Sequence, residues 1–155
     1  METQKGTLLL VDDDEEIIMM LSRMLKDSAD KILIAYNADE ASEVLKRERV
    51  HAIVSDLKMP GITGIELLKK LRAEKNYVPF SVLSAFGIED VTAEAIVSGA
   101  LDFVEKPFDQ ESLKKLVNEM LAMGIDIEKN KERPDLHRYV ENKMTIVRVK
   151  LGDFN

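Results

Sequence analysis

Apolar residues fall along this chain in two alternating rhythms. Five short runs recur: TLLLV (7–11), KILIAY (31–36), HAIVSD (51–56), FSVLSA (80–85) and LDFVEK (101–106). Most are continuous rather than alternating, which suits strands buried on both faces of a parallel sheet. Between them the spacing turns helical. Ile17/Ile18, Leu21 and Met24/Leu25 form one stripe, Ala41, Val44 and Leu45 a second, and Ile65, Leu68 and Leu71 a third. A weaker pattern, Val91, Ala95 and Ile96, lies between Glu89 and Ser98. The last stripe is Leu113, Leu116, Val117, Met120 and Leu121.

Caps support these elements. Thr63 with Glu66 has the spacing of a capping box, and Asn37 with Glu40 can act alike. Gly99 and Gly124 stand where a left-handed residue would end a helix. Strand and helix alternate five times, which predicts an α/β fold of right-handed crossovers around a doubly wound sheet. Such a sheet binds ligands beyond the carboxyl ends of its strands. The residues there are Asp12-Asp13, Asp56, Ser84 and Lys106.

Composition narrows the class. Of 155 residues, 45% are hydrophobic, enough for a packed core and too many for a disordered chain. No apolar run reaches membrane-spanning length, and the acidic N-terminus does not read as a signal peptide. The absence of cysteine excludes disulfide and thiol chemistry and fits a cytoplasmic location. The net charge is −7, and it divides unevenly: residues 1–123 hold 15 basic and 23 acidic side chains, residues 124–155 hold 7 and 6. An acidic body argues against direct nucleic-acid binding and suits a metal cation or a basic partner.

The strand ends carry the candidate chemistry. If Asp12 and Asp13 lie beside Asp56, three like charges share one pocket, which must take up a proton or a cation. Hard oxygen ligands suit Mg²⁺, and a turn carbonyl such as that of Lys58 can add to the set. A lysine and a hydroxyl on neighbouring strand ends would hold an anion beside the metal, as a phosphoryl-transfer site requires. A carboxylate can be the nucleophile and form an acyl phosphate.

From Gly6 to Met123 the chain resembles a response-regulator receiver domain of two-component signalling, of the chemotaxis-regulator kind. LLLVDDD, VSDLKMPGITG, VLSAFG and GALDFVEKPF carry the resemblance; each is weak alone, but their order and spacing are specific. The resemblance implies a flavodoxin-like five-stranded parallel sheet of order 2-1-3-4-5 flanked by five helices. It implies that Asp56 accepts a phosphoryl group from a sensor histidine kinase or a histidine phosphotransfer protein. Asp13 would coordinate Mg²⁺ (or Mn²⁺) directly, Asp12 through water, and Lys58 through its backbone carbonyl. Lys106 and Ser84 would contact the phosphoryl group, Ser84 and Phe103 would act as switch residues, and Lys58 and Phe86 would tune dephosphorylation. The face made by the fourth helix, fifth strand and fifth helix would then change and control an output partner or an effector domain. Such a domain is no conventional enzyme; it catalyses its own phosphorylation and slow dephosphorylation. Ser84 stands where threonine is usual, and Phe103 where tyrosine is frequent. Asp14 reads as the N-cap of the first helix.

Blander readings stand beside these. An Asp-Asp pair after a strand is usually a cap, and Ser84 or Lys106 alone would be a buried hydroxyl and a surface lysine. The methionines read most simply as core filler. Two other functions compete: a receiver-like interaction module that works without phosphate, and a Mg²⁺-dependent aspartate phosphatase of the haloacid-dehalogenase kind. The second wants Asp-x-Asp-x-Thr on the first strand, and DDDEE lacks the threonine. Residues 1–123 are expected to form the receiver, and residues 124–155 an extension or linker. In the extension Pro134 suits a helix start, and TIVRVKL alternates like an edge strand. A homodimer through the face made by the fourth helix, fifth strand and fifth helix, or through this extension, is a further expectation.

Overall fold

The computed structural model describes residues 4–56, 63–84, 102–105, 109–130 and 148–149. Strands β1 (Thr7–Val11), β2 (Lys31–Ala35), β3 (Ala52–Asp56), β4 (Phe80–Ser84) and β5 (Asp102–Glu105) match the five apolar runs to within a residue at either end. Helices α1 (Glu15–Leu25), α2 (Ala38–Arg47) and α3 (Gly64–Ala73) connect them. The last predicted helix, here α4, spans Gln110–Lys129. The weak pattern at Glu89–Ser98 and Gly99 lie outside the described residues. A short strand, β6 (Arg148–Val149), follows.

All pairings are parallel, and the sheet order is β2-β1-β3-β4-β5-β6. This contains the expected 2-1-3-4-5 order, in a flavodoxin-like fold. Continuous apolar strands are explained by a core on each face. On one face Leu8, Leu10 and Val54 meet Ile18 and Leu21 of α1 and Leu113, Val117 and Met120 of α4. On the other, Leu9, Val11, Ile53, Phe80 and Val82 meet Ala38 and Ala41 of α2 and Ile65, Leu68 and Leu71 of α3. Successive strand residues point to opposite faces, so Leu8, Leu9 and Leu10 are all fully buried. Each such leucine stabilises the fold by roughly 1.5–3 kcal/mol relative to exposure. Edge strand β2 is more exposed than β1 and β3, with Ile34 open to solvent. Met19 of α1 is exposed too, so core filling does not account for every methionine.

The caps form as the sequence predicts. Asp14 accepts from the Glu16 N–H, Asn37 from Glu40 and Thr63 from Glu66, at 2.9, 2.8 and 3.1 Å. Gly124 corrects an expectation: it does not end a helix, because α4 runs through it to Lys129. A Cβ at Gly124 would overlap the His51 carbonyl oxygen and lie 2.6 Å from the His51 carbonyl carbon. Glycine is there so that α4 can touch the start of β3. One turn on, His51 Nε2 lies 2.7 Å from Glu128 Oε2. His51 Nδ1 accepts from the Thr7 N–H at 2.9 Å, so the ring hydrogen sits on Nε2 and is donated to Glu128. His51 thereby joins the starts of β1 and β3 to the end of α4. Elsewhere, Arg72 Nη1 donates to the carbonyls of Asn76 and Val78 ahead of β4, and burial pulls its pKa down to about 10.

Candidate functional site

The strand order reverses between β1 and β3, and the carboxyl ends of these two strands form the candidate site. Val11, the last residue of β1, is level with Ser55, so Asp12, just beyond β1, comes beside Asp56, the last residue of β3. One carboxylate oxygen from each of Asp12, Asp13 and Asp56 lies within 4.8 Å of the other two. Asp12 and Asp56 are buried, and Asp13 is exposed at the mouth.

Three consecutive acids divide three tasks. The Asp12 main chain is fixed by its N–H donating to the Ala35 carbonyl at 3.1 Å, which ties the end of β1 to β2. Its Oδ1 accepts from the Asp14 N–H at 2.9 Å, which holds the turn that turns Asp13 outward. Asp14 looks away to cap α1. Only Asp12 and Asp13 therefore join Asp56.

Asp56 is held from behind. The buried Ser55 hydroxyl donates to the Asp56 carbonyl at 3.0 Å. Gly64, the first residue of α3, packs so closely that a Cβ there would overlap the same carbonyl oxygen and lie 3.1 Å from Ser55 Oγ. The sequence reading passed over Ser55 and Gly64. The available signal was a glycine inside a capped first turn, where it is a poor helix former and marks a close approach. Gly64→Ala is expected to push the start of α3 off β3, at a cost of about 1–3 kcal/mol. The change is readable by thermal melt. An unchanged melt would mean that the contact relaxes freely.

Ser84 ends β4, one step beyond Leu83, the register partner of Asp56. Phe103 lies on β5 beside Val82. The structure thus places both on the strands where the sequence set them. Lys58, Phe86 and Lys106 lie outside the described residues.

The donor set fits a hard divalent cation. Three carboxylates within 4.8 Å, two of them buried, concentrate negative charge that a small cation with oxygen ligands offsets. Asp12 Oδ1 accepts from the Asp14 N–H, which fixes the carboxylate at the edge of the cluster.

A parallel sheet of this order with an acidic cluster at its switch point defines a class of phosphoaccepting signalling domain, and the comparisons agree. The chain belongs to the response regulator receiver domain family, whose model matches residues 8–118. It is 30% identical over 122 residues to the transcriptional regulatory protein FixJ of Bradyrhizobium diazoefficiens, covering 79% of this chain and 60% of that protein. It is 34% identical over 119 residues to the response regulator Rre1 of Synechocystis, covering 75% of this chain and 52% of that one. Among solved structures it is similar to the chemotaxis response regulator CheY4 of Vibrio cholerae. That likeness has a TM-score of 0.68 at 30% identity, over 77% of this chain and all of that one. The chain spans little more than half the length of the two curated relatives. Among the described residues no helix is long and apolar enough to cross a membrane.

Proposed function

We propose that this chain is a phosphoaspartate switch in which Asp56 accepts a phosphoryl group from a histidine kinase or a histidine phosphotransfer protein in the cytoplasm. The observation that carries the reading is the convergence of Asp12, Asp13 and Asp56 at the switch point of the sheet. A carboxylate oxygen of Asp56 attacks the phosphorus, the P–N bond to the donor imidazole breaks, and an aspartyl phosphate results. The freed imidazole takes its proton from solvent. Mg²⁺ (or Mn²⁺), when bound, neutralises charge on the cluster and on the phosphoryl oxygens. Asp13 and Asp56 would hold it directly, Asp12 through water, and Lys58 through its carbonyl.

Lys106 and Ser84 are assigned to the phosphoryl oxygens in this reading, and Lys58 and Phe86 to the rate of hydrolysis. Ser84 and Phe103 report the phosphoryl group to the surface around β5, where an output partner or effector domain responds. Phosphorylation adds up to two negative charges at the strand ends, enough to bias a pre-existing equilibrium between two states.

The test uses a small phosphodonor. Acetyl phosphate with Mg²⁺ should place one acid-stable, base-labile phosphoryl group per chain, mapped to Asp56 by mass spectrometry after borohydride trapping. Chelation should stop the labelling. No uptake from acetyl phosphate or phosphoramidate, together with no response to Mg²⁺ and beryllofluoride, would instead support a module that works without phosphate.

A further inference from the structure

Strand β2 ends the sheet: β1 pairs with it on one side, and no described strand pairs with it on the other. Its bonds to β1 fix which of its backbone groups lie open. The Ala35 carbonyl accepts from the Asp12 N–H, and the Lys31 N–H donates to the Gly6 carbonyl, at 3.1 and 3.4 Å. In a parallel ladder a residue turns its N–H and C=O to the same side, and the next residue turns them to the other. Lys31, Leu33 and Ala35 therefore face β1. Ile32 and Ile34 face outward, with N–H and C=O groups open at the edge.

The side chains along this edge are apolar as well. Ile32 packs against the core cluster on the α1 side, and Leu33 against the other. Ile34 shares the face of Ile32. Ile34 is 41% exposed and Tyr36, just past the strand, 39%; with Met19 they are the exposed large hydrophobic residues among those described. Folded proteins blunt an open edge with a charge, a proline or a bulge. From Ile32 to Tyr36 the chain has no charge and no proline, and the register with β1 is unbroken. Lys31 is the one charge in β2, and its ammonium is drawn aside to Glu48 at 3.2 Å.

Such an edge fits its own image. Two β2 strands set antiparallel about a two-fold axis at Leu33, normal to the sheet, overlap over their whole length. Lys31 then lies opposite Ala35, and Ile32 opposite Ile34. The isoleucines are the residues with outward backbone groups, so each isoleucine pair exchanges both of its N–H···O=C bonds. Their side chains meet on the α1 face as β-branched cross-strand pairs, which cover Ile34. No like charges fall opposite each other. Moving the axis by one residue leaves Lys31 or Ala35 outside the pairing.

We propose that the outer edge of β2 is an interaction surface for a second copy of this chain, the two β2 strands pairing antiparallel about Leu33. The result is a two-fold dimer with one sheet running through both copies. The inference goes beyond the phosphoswitch reading and does not depend on it.

The experiment uses the full chain without phosphodonor. Sedimentation velocity across a concentration series should show a reversible dimer. It should tighten as salt screens the net charge of −7 on each copy. Ile34→Lys sets a cation against the partner's Ile32 and should weaken the dimer about tenfold or more. Ile34 is open to solvent, so the circular dichroism spectrum should not change. The chain has no cysteine, so single cysteine variants report the register directly. At the axis the two Leu33 Cα atoms would lie about 4.5 Å apart, within the reach of a disulfide. Leu33→Cys should therefore oxidise to a covalent dimer, and Lys31→Cys, displaced from its own image by the length of the strand, should not. A monomer at every concentration overturns the proposal, as does a dimer indifferent to Ile34→Lys. Cross-linking of Lys31→Cys in preference to Leu33→Cys overturns it too. These results leave labelling of Asp56 untouched, and a failure to label Asp56 would leave the dimer untouched.

Discussion

A chain carrying Asp56→Asn is expected to take up no phosphoryl group from acetyl phosphate or phosphoramidate, under conditions where the unaltered chain is labelled with Mg²⁺. The carboxylate is the only part of Asp56 that the substitution changes. Asparagine keeps the size of the side chain but replaces an anionic nucleophile with a neutral amide. What holds Asp56 from behind is main-chain: its carbonyl accepts from Ser55 Oγ and packs against Gly64, and neither contact needs the carboxylate. The variant should therefore fold, with an unaltered circular dichroism spectrum. A second readout separates loss of the nucleophile from loss of the site. A ligand present at about 100 times its dissociation constant stabilises the folded chain by about 2.7 kcal/mol. Removing one of three charges from the cluster should weaken Mg²⁺ about tenfold or more, so roughly 1.4 kcal/mol of that increment is lost. The melt of the variant should then rise less with Mg²⁺ than that of the unaltered chain. Labelling of the variant at the original rate would remove Asp56 from the mechanism.

The strands were legible because their burial is two-sided. Residues 8–11 and 52–54 are buried on both faces, so the sequence shows unbroken apolar runs with little room to shift their ends. The acidic cluster was legible for a topological reason. A doubly wound sheet brings the carboxyl ends of its first and third strands together, where Asp12 follows the first and Asp56 ends the third. The caps were legible because they are local, set by side chains two or three residues from the N–H groups they satisfy. The misses share another cause. Gly64 and Gly124 answer to the backbone of another element, at Asp56 and His51 respectively, and a glycine near a helix end reads locally as a cap. At Gly124 a contrary signal was present. The apolar spacing continues from Leu121 to Ile125, both buried, so the helix had no reason to stop between them. The alternation of TIVRVKL did announce an edge strand, and β6 is one, but its seat beside β5 depends on pairing that no local pattern encodes.

Gly124→Ala tests this view of the helix end with a result opposite to the ordinary expectation. In a helix interior alanine is normally favoured over glycine by about 1 kcal/mol. Here the added methyl would overlap the His51 carbonyl oxygen and lie 2.6 and 2.9 Å from the His51 carbonyl carbon and Cα. These are backbone atoms at the entry to β3 and cannot turn aside as a flexible side chain would. The helix itself must lift. Leu121 and Ile125, buried on either side of the glycine, would lose packing as it does, and the 2.7 Å contact between His51 and Glu128 would stretch. Overpacking of this kind costs about 1–3 kcal/mol and sometimes more, which outweighs the gain in propensity. A net loss of about 2 kcal/mol corresponds to a fall of roughly 4–8 °C in Tm for a chain of this size. Asn118→Ala, on the exposed side of the same helix, should show the propensity gain alone and raise Tm slightly. Combining Gly124→Ala with Glu128→Ala asks what resists the movement. If the tie to His51 does, the double variant will lose less than the sum of the two single losses. A higher Tm for Gly124→Ala would mean that α4 sits further from β3 than the structure places it, and the glycine would return to being a helix end.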